Sequence, residues 1–220
     1  MDVEPRADAA ATAESFTIAY VPGVTLSKWA RIWAERVPEV PLRLLGVTEP
    51  EQTAVLHEGR AQMSFVRLPV DRAGLSVIPL YTELPVVVAP KEHAVALFDE
   101  VAMNDLAGEQ LHEAATESVQ ETLELVAAGV GLVIVPQSLA RLHSRRDLVY
   151  RPVTDHDPTQ IGLAWVAERS TEHIEEFIGI VRGRTVNSSR SATETQPAKT
   201  PRADRRKPAT RNTRARRRKR

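Results

Sequence analysis

Short, almost wholly apolar runs alternate along this chain with stretches that carry a helical apolar stripe, and few folds can satisfy both patterns at once. Phe16-Thr-Ile-Ala-Tyr-Val21 reads as a buried strand, ended by Pro22-Gly23. Thr25 is a suitable N-cap for a helix whose Leu26, Trp29, Ala30, Trp33 and Val37 share one face, and Pro38 and Pro41 close it. Leu42–Val47 is a second strand. Thr48-x-x-Glu51, with Pro50 in the first turn, then predicts a capping box opening a helix that runs to Glu58 and stops at Gly59. Met63–Val66 follows as a third strand, Leu75–Pro79 begins a fourth, and Leu84–Ala89 is a fifth.

The second half repeats this grammar in shorter form. Asn104–Ala107 reads as a helical turn, and Ser118-x-x-Glu121 as a second capping box. The helix behind it carries Val119, Leu123, Val126 and Ala127 on one face and stops at Gly129. Leu132–Val135 is a buried strand, and Pro136-Gln-Ser138 leads into a short helix ending at Leu142. Leu148–Val153 and Ile161–Val166 are further strands. A last helix over about Thr171–Arg182 turns Ile174, Phe177, Ile178 and Val181 inward. Strands alternating with short amphipathic helices imply an α/β protein, a mostly parallel sheet with helices on both faces.

At 220 residues the chain can build one substantial core, or two small lobes sharing one. It contains no cysteine, which excludes disulfides, thiolate metal sites and cysteine nucleophiles. Met1–Ser15 is acidic and Ala-rich, unlike a secretory signal, and reads as a disordered leader. No run approaches the ~20 apolar residues that span a bilayer, so no membrane association is expected and the expected location is the cytoplasm.

The formal net charge of zero conceals a division. Thirteen Lys and Arg fall between Asn187 and Arg220, against only Glu194 and Asp204, so that segment carries +11 and the rest of the chain −11. After Val186 no apolar residue larger than Ala or Pro occurs, so residues 187–220 are expected to be a disordered tail on an acidic body. The tail can serve solubility alone. It can also fold back on the acidic body, or neutralise phosphates of DNA or RNA through Arg205, Arg206, Lys207, Arg214, Arg216, Arg217, Arg218, Lys219 and Arg220. Nucleic-acid contacts of that kind are salt-dependent and blind to sequence, and no aromatic residue interleaves the charges to stack on single strands.

Four stretches resemble the effector-binding (substrate-binding) domain of LysR-type transcriptional regulators. They are Phe16–Gly23, Leu56-His-Glu-Gly-Arg-Ala-Gln-Met-Ser-Phe65, Leu84-Pro-Val-Val-Val-Ala-Pro-Lys-Glu-His93 and, most specifically, Leu125-Val-Ala-Ala-Gly-Val-Gly-Leu-Val-Ile-Val-Pro-Gln-Ser-Leu-Ala140. The resemblance covers about residues 16 to 182. It implies two α/β lobes like those of a periplasmic binding protein, joined by crossing strands, with a mixed sheet in place of a purely parallel one. Lobe one would comprise about residues 16–89 and 161–182, and lobe two about 90–153, within a domain spanning 16–186. It further implies a small effector held between the lobes, a homodimer made side by side, and a part in transcriptional regulation. Two departures are expected. The winged helix-turn-helix that precedes this domain in the family has no counterpart here, and the short span from Leu106 to Ser118 abbreviates lobe two.

A ligand of such a fold belongs at the carboxyl ends of the strands, near helix N-termini whose free N–H groups favour anions. That places Gly23, Val24, Thr25, Thr48, Arg67 and Ser118 as candidate ligand-binding residues, with Arg67 able to grip a small organic anion through a bidentate carboxylate pair. Capping alone also accounts for Thr25, Thr48 and Ser118. Nothing points to catalysis, a metal or a cofactor. The six histidines lack ligand spacing, Gly129-Val-Gly131 follows a helix and lacks a phosphate loop's Lys, and Ser138 stands outside Gly-x-Ser-x-Gly. The expectation is a binding module and not an enzyme. The runner-up is a nucleic-acid-associated protein acting through its tail.

Overall fold

The computed structural model describes residues 15–113 and 118–184. The expected leader and basic tail therefore lie outside the described residues, apart from Ser15. The strands are β1 (Phe16–Tyr20), β2 (Leu42–Gly46), β3 (Met63–Leu68), β4 (Leu75–Glu83), β5 (Pro85–Pro90), β6 (Leu111–His112), β7 (Leu132–Pro136), β8 (Leu148–Pro152) and β9 (Thr159–Val166). The helices are α1 (Ser27–Arg36), α2 (Ala54–His57), α3 (Val119–Ala127), α4 (Gln137–Leu142) and α5 (Glu172–Val181). Among these residues no helix is long and apolar enough to cross a membrane.

The strands form two sheets. The first has the order β2-β1-β3-β9-β4, with β1 parallel to β2 and β3, and β9 antiparallel to both β3 and β4. The second has the order β6-β7-β5-β8, with β6 and β7 parallel and β5 antiparallel to β7 and β8. This is the two-lobed mixed α/β architecture implied by the resemblance, and each sheet defines a lobe.

Both sheets are covered on both faces, which is why their strands read as continuous apolar runs. On one face of the first sheet, Phe16, Ile18, Met63, Phe65, Ile161 and Leu163 pack against Trp33 of α1 and Ile174, Phe177 and Ile178 of α5. Rings interlock there: Phe16 stacks on Trp33 with centroids 4.7 Å apart, and Phe65 meets Phe177 edge-on at 6.2 Å. The intervening residues Ala19, Val66 and Ala164 face a second core with Val55 and Leu56 of α2. Ser64 lies fully buried on β3 with its hydroxyl unbonded among the described residues. The second sheet repeats the device. Val86 and Val88 turn toward α3 and α4, while Val87 and Ala89 turn toward Val95, Val101, Leu106 and Val153.

Several boundaries depart from the sequence reading. Val86–Ala89 pair with β7 and β8, so the chain leaves the first sheet at Glu83–Pro85 and not after Ala89. An all-apolar run announces two-sided burial without saying in which sheet. Strand β4 begins at Leu75 as the sequence indicates and continues past Pro79 to Glu83, with a register shift between Pro79 and Tyr81. It is an edge strand, where a missing N–H is tolerated. Helix α1 is capped by Leu26, not Thr25, which is exposed just before it. Thr48 and Glu51 do pair, through Thr48 N–H (3.2 Å) and Oγ1 (2.9 Å) to Glu51 Oε2. They close a turn, however, and the helix after it is only Ala54–His57. Strand β6 is an element the sequence reading did not contain.

In the Gly129-Val-Gly131 unit the second glycine is the demanding one. Gly131 has φ +70°, and a Cβ there would stand 2.4 Å from the Gln110 carbonyl oxygen. This close approach lets β7 enter beside β6, whose His112 Nε2 reaches Val130 O at 2.5 Å.

Candidate functional site

An open cleft of about 620 Å³ lies between the lobes. Its lobe-one wall is the end of β1 and the loop after it: Tyr20, Pro22, Gly23, Val24 and Thr25. Its lobe-two wall is α4, through Ser138, Arg141 and Leu142. The loop is shaped by Gly23, whose φ of +90° suits glycine alone. The α4 wall follows from the sequence Val135-Pro136-Gln137: Pro136 ends β7 and is the helix N-cap, so the first turn of α4 emerges at the strand's end.

Three of the candidate residues, Gly23, Val24 and Thr25, thus line the cleft. The other three do not. Thr48 is committed to its turn with Glu51. Ser118 caps α3, and its carbonyl accepts a bond from Thr122 Oγ1 at 3.0 Å. Arg67 sits behind the lobe-one wall and is buried, with Nη2 donating to the Pro22 carbonyl at 3.0 Å.

The expected open guanidinium is instead the centre of an internal charge cluster. Arg67 Nε donates to Glu83 Oε2 at 2.8 Å, Nη2 reaches Glu83 Oε1 at 3.4 Å, and Nη1 bonds Glu49. The turn after β2 fixes the Arg67 backbone as well. Gln52 Oε1 accepts from Arg67 N–H at 2.8 Å, and Gln52 Nε2 donates to Arg67 O at 3.3 Å. Burial opposes the Arg67 charge, but the hydrogen bonds and charges of Glu83 and Glu49 outweigh it and hold the group above its ordinary value. Arg67, Glu83 and Glu49 together carry one net negative charge, so the cluster itself offers nothing to an anion.

Glu83 is the most heavily used acceptor of this cluster. Besides Arg67 it receives Thr159 Oγ1 at 3.2 Å and the hydroxyl of Ser138. The basic residue lining the cleft is Arg141, whose exposed side chain has no ion-pair or hydrogen-bond partner among the described residues. The exposed hydroxyl of Thr25, the Tyr20 ring, and apolar Val24 and Leu142 complete a surface suited to a small molecule with one anionic end. No cluster of three or more His, Asp or Glu capable of holding a metal ion occurs among the described residues.

Sequence reasoning missed Tyr20, Ser138, Arg141 and Leu142. In the sequence Ser138 stands outside Gly-x-Ser-x-Gly, which argues against a nucleophile and leaves a wall position open. The rule that ligands gather at strand ends and helix N-termini, applied to β7 and α4 as it was to β1, points to the same segment.

Comparison with known proteins agrees with this fold. Residues 11–113 and 112–185 match the model of the LysR substrate binding domain in two segments that overlap at His112–Glu113, the end of β6. The HTH-type transcriptional regulator AlsR of Bacillus subtilis is 25% identical over 181 residues, covering 68% of this chain and 59% of AlsR. The chain therefore spans well under two thirds of that relative. The activator HcaR of Escherichia coli is 22% identical over 200 residues, covering 76% of this chain and 67% of HcaR. Among solved structures, the BenM effector binding domain with its effector benzoate superimposes with a TM-score of 0.66 at 22% identity, covering 83% of this chain and 96% of that one. The OxyR C206 mutant of Corynebacterium glutamicum gives 0.64 at 21%, covering 80% and 66%. With its two sheets, the cleft between them and a family match along nearly all of the described residues, the chain belongs to the LysR substrate-binding domain family.

Proposed function

We propose that the domain binds a small organic acid in the cleft between its lobes and serves as the ligand-sensing module of a cytoplasmic transcriptional regulator, without catalysing a reaction. The observation that carries this reading is the pairing of the Gly23–Thr25 loop with α4 across a cleft of about 620 Å³, a size typical of small-molecule sites. Thr25 and the backbone of Gly23 and Val24 supply polar contacts on one wall. Arg141 supplies the counter-charge on the other, in the role first assigned to Arg67.

A panel of aliphatic and aromatic monocarboxylates, benzoate included, tests this by thermal unfolding of the full chain. At least one acid is expected to stabilise saturably, by about 2.7 kcal/mol at a hundred times its Kd. The gain should be lost in Arg141→Ala, whose own stability should stay near that of the parent. A panel without saturable stabilisation overturns the reading.

Two further assignments belong to the same proposal. The apolar groove between α1 and the edge strand β2, lined by Ala30, Trp33, Ala34, Val37 and Leu44, supports side-by-side pairing with a second copy. Sedimentation equilibrium tests it, and a monomer at micromolar concentration refutes it. The +11 charge of residues 187–220 supports weak, sequence-blind binding to nucleic acid. Equal retardation of duplex DNA by the full chain and by a chain ending at Val186 excludes that role.

A further inference from the structure

The cleft walls belong to different lobes, yet one buried carboxylate holds both. Glu83 is the last residue of β4, and it lies in register with Thr159, the first residue of β9. Both stand where the chain passes between the sheets, out through Leu84 to β5 and back from β8 to β9. Glu83 gathers Arg67 and Thr159 from the first sheet, and from the second lobe it takes the hydroxyl of Ser138. A backbone bond from Gln137 N–H to Leu84 O, 2.9 Å, lies beside this contact.

Ser138 is also approached closely by Gly23. A Cβ on Gly23 would stand 2.5 Å from Ser138 Oγ and 3.0 Å from Ser138 Cβ, so the two walls touch at this point. Glu83 is 5% exposed and its partner Arg67 6%, so solvent has little access to the carboxylate. Hydrogen bonds to an ionised acceptor are about twice as strong as neutral ones.

We infer that Glu83 is the positioning residue of the cleft, and that its bond to Ser138 forms a clasp setting the separation of the two lobes. Glu83 need not touch a ligand to govern one. A serine hydroxyl has one proton to donate. A ligand acceptor that takes this proton from Ser138 withdraws it from Glu83, so occupancy of the cleft is linked to stiffness of the crossing. That linkage rests on the ligand reading above, whereas the clasp itself does not.

The chain has no cysteine, so two spin labels can be placed uniquely, one in each lobe. Lys28→Cys on α1 and Arg146→Cys after α4 change exposed residues that take no part in the clasp. In the full chain, pulsed electron resonance is expected to give one narrow distance distribution. Ser138→Ala should broaden it or shift it by several ångström, while amide exchange in β1, β3 and α5 stays at the parent rate. Glu83→Gln should do the same and also raise exchange around Arg67. Should Glu83→Gln fail to fold, Ser138→Ala alone decides. An unchanged distribution in Ser138→Ala overturns the clasp, even if an acid from the panel stabilises the protein. A broadened distribution upholds it, even if every acid fails.

Discussion

Arg67 illustrates what a residue's sequence neighbours conceal. Standing after an apolar strand, it looked available to a ligand. Its partners Glu49 and Glu83 lie 18 and 16 positions away and approach only once β3, β4 and the turn after β2 are assembled. Breaking a buried pair leaves the opposite charge stranded, so Arg67→Met is expected to lower unfolding free energy by about 3–5 kcal/mol. Urea denaturation measures this, and a loss below 1 kcal/mol would mean that Glu83 finds other donors. The raised Arg67 value makes a contribution that is complete below the unfolded arginine value and is lost only on passing above it. No stability change between pH 6 and 9 should therefore trace to this residue. Ser64 is the converse case, a buried hydroxyl with no partner among the described residues. Ser64→Ala should leave the fold intact and raise stability by about 1 kcal/mol in the same assay.

At the scale of elements, apolar runs marked most of the strands because burial leaves its record in residue type. Endings were less legible. Thr25 and Leu26 are adjacent, and only the geometry of the preceding turn decides which caps α1. Strand β4 runs past Pro79 because an edge strand does not use every N–H, a property no local window contains. The two-residue β6 is too short for any periodicity. The glycines after α3 were legible as a unit but not as individuals. Gly131→Ala drives a Cβ against the Gln110 carbonyl and should cost about 2 kcal/mol or more, whereas Gly129→Ala meets open space and should cost about 1 kcal/mol from its backbone angle alone. Equal losses would show that the contact with the strand edge is not what requires the second glycine. The Thr48–Glu51 turn carries a pH signature. Thr48's backbone and side-chain bonds hold the Glu51 carboxyl below its ordinary value, so its contribution is present above that value and disappears as pH falls below it. Thr48→Ala should thus be less stable than the parent at neutral pH, and the gap should close as pH falls below the ordinary glutamate value.

Over the whole molecule, local reading stated the α/β class but expected a mostly parallel sheet, whereas four of the seven strand pairings among the described residues are antiparallel; the mixed, two-lobed division was specified by the resemblance. Composition could not locate the passage between sheets, since Val86–Val88 are as apolar as any strand of either. The cleft was half legible: one wall follows a strand–glycine–helix signal, and the other comes from a helix more than a hundred residues later. The contact between the walls makes a prediction that neither wall makes alone. Gly23→Ala should destabilise by about 2–3 kcal/mol through overpacking and a strained backbone angle. Combined with Ser138→Gly, the loss should shrink by about 1 kcal/mol relative to additivity. Strict additivity would indicate that the lobes separate to accommodate the methyl group.

The two passages between sheets have a consequence for how such a protein can change. Pro85 and Val153 are joined by a backbone bond of 3.0 Å, and Val86 pairs directly with Pro152. Everything from β5 to β8 therefore departs from and returns to a single spot, as a loop of luggage strap returns to its buckle. Material can be removed from inside such an insertion without disturbing the register of the strands that host it. The two segments of the family match overlap at His112–Glu113, inside this insertion, so their join leaves β9 and its neighbours untouched.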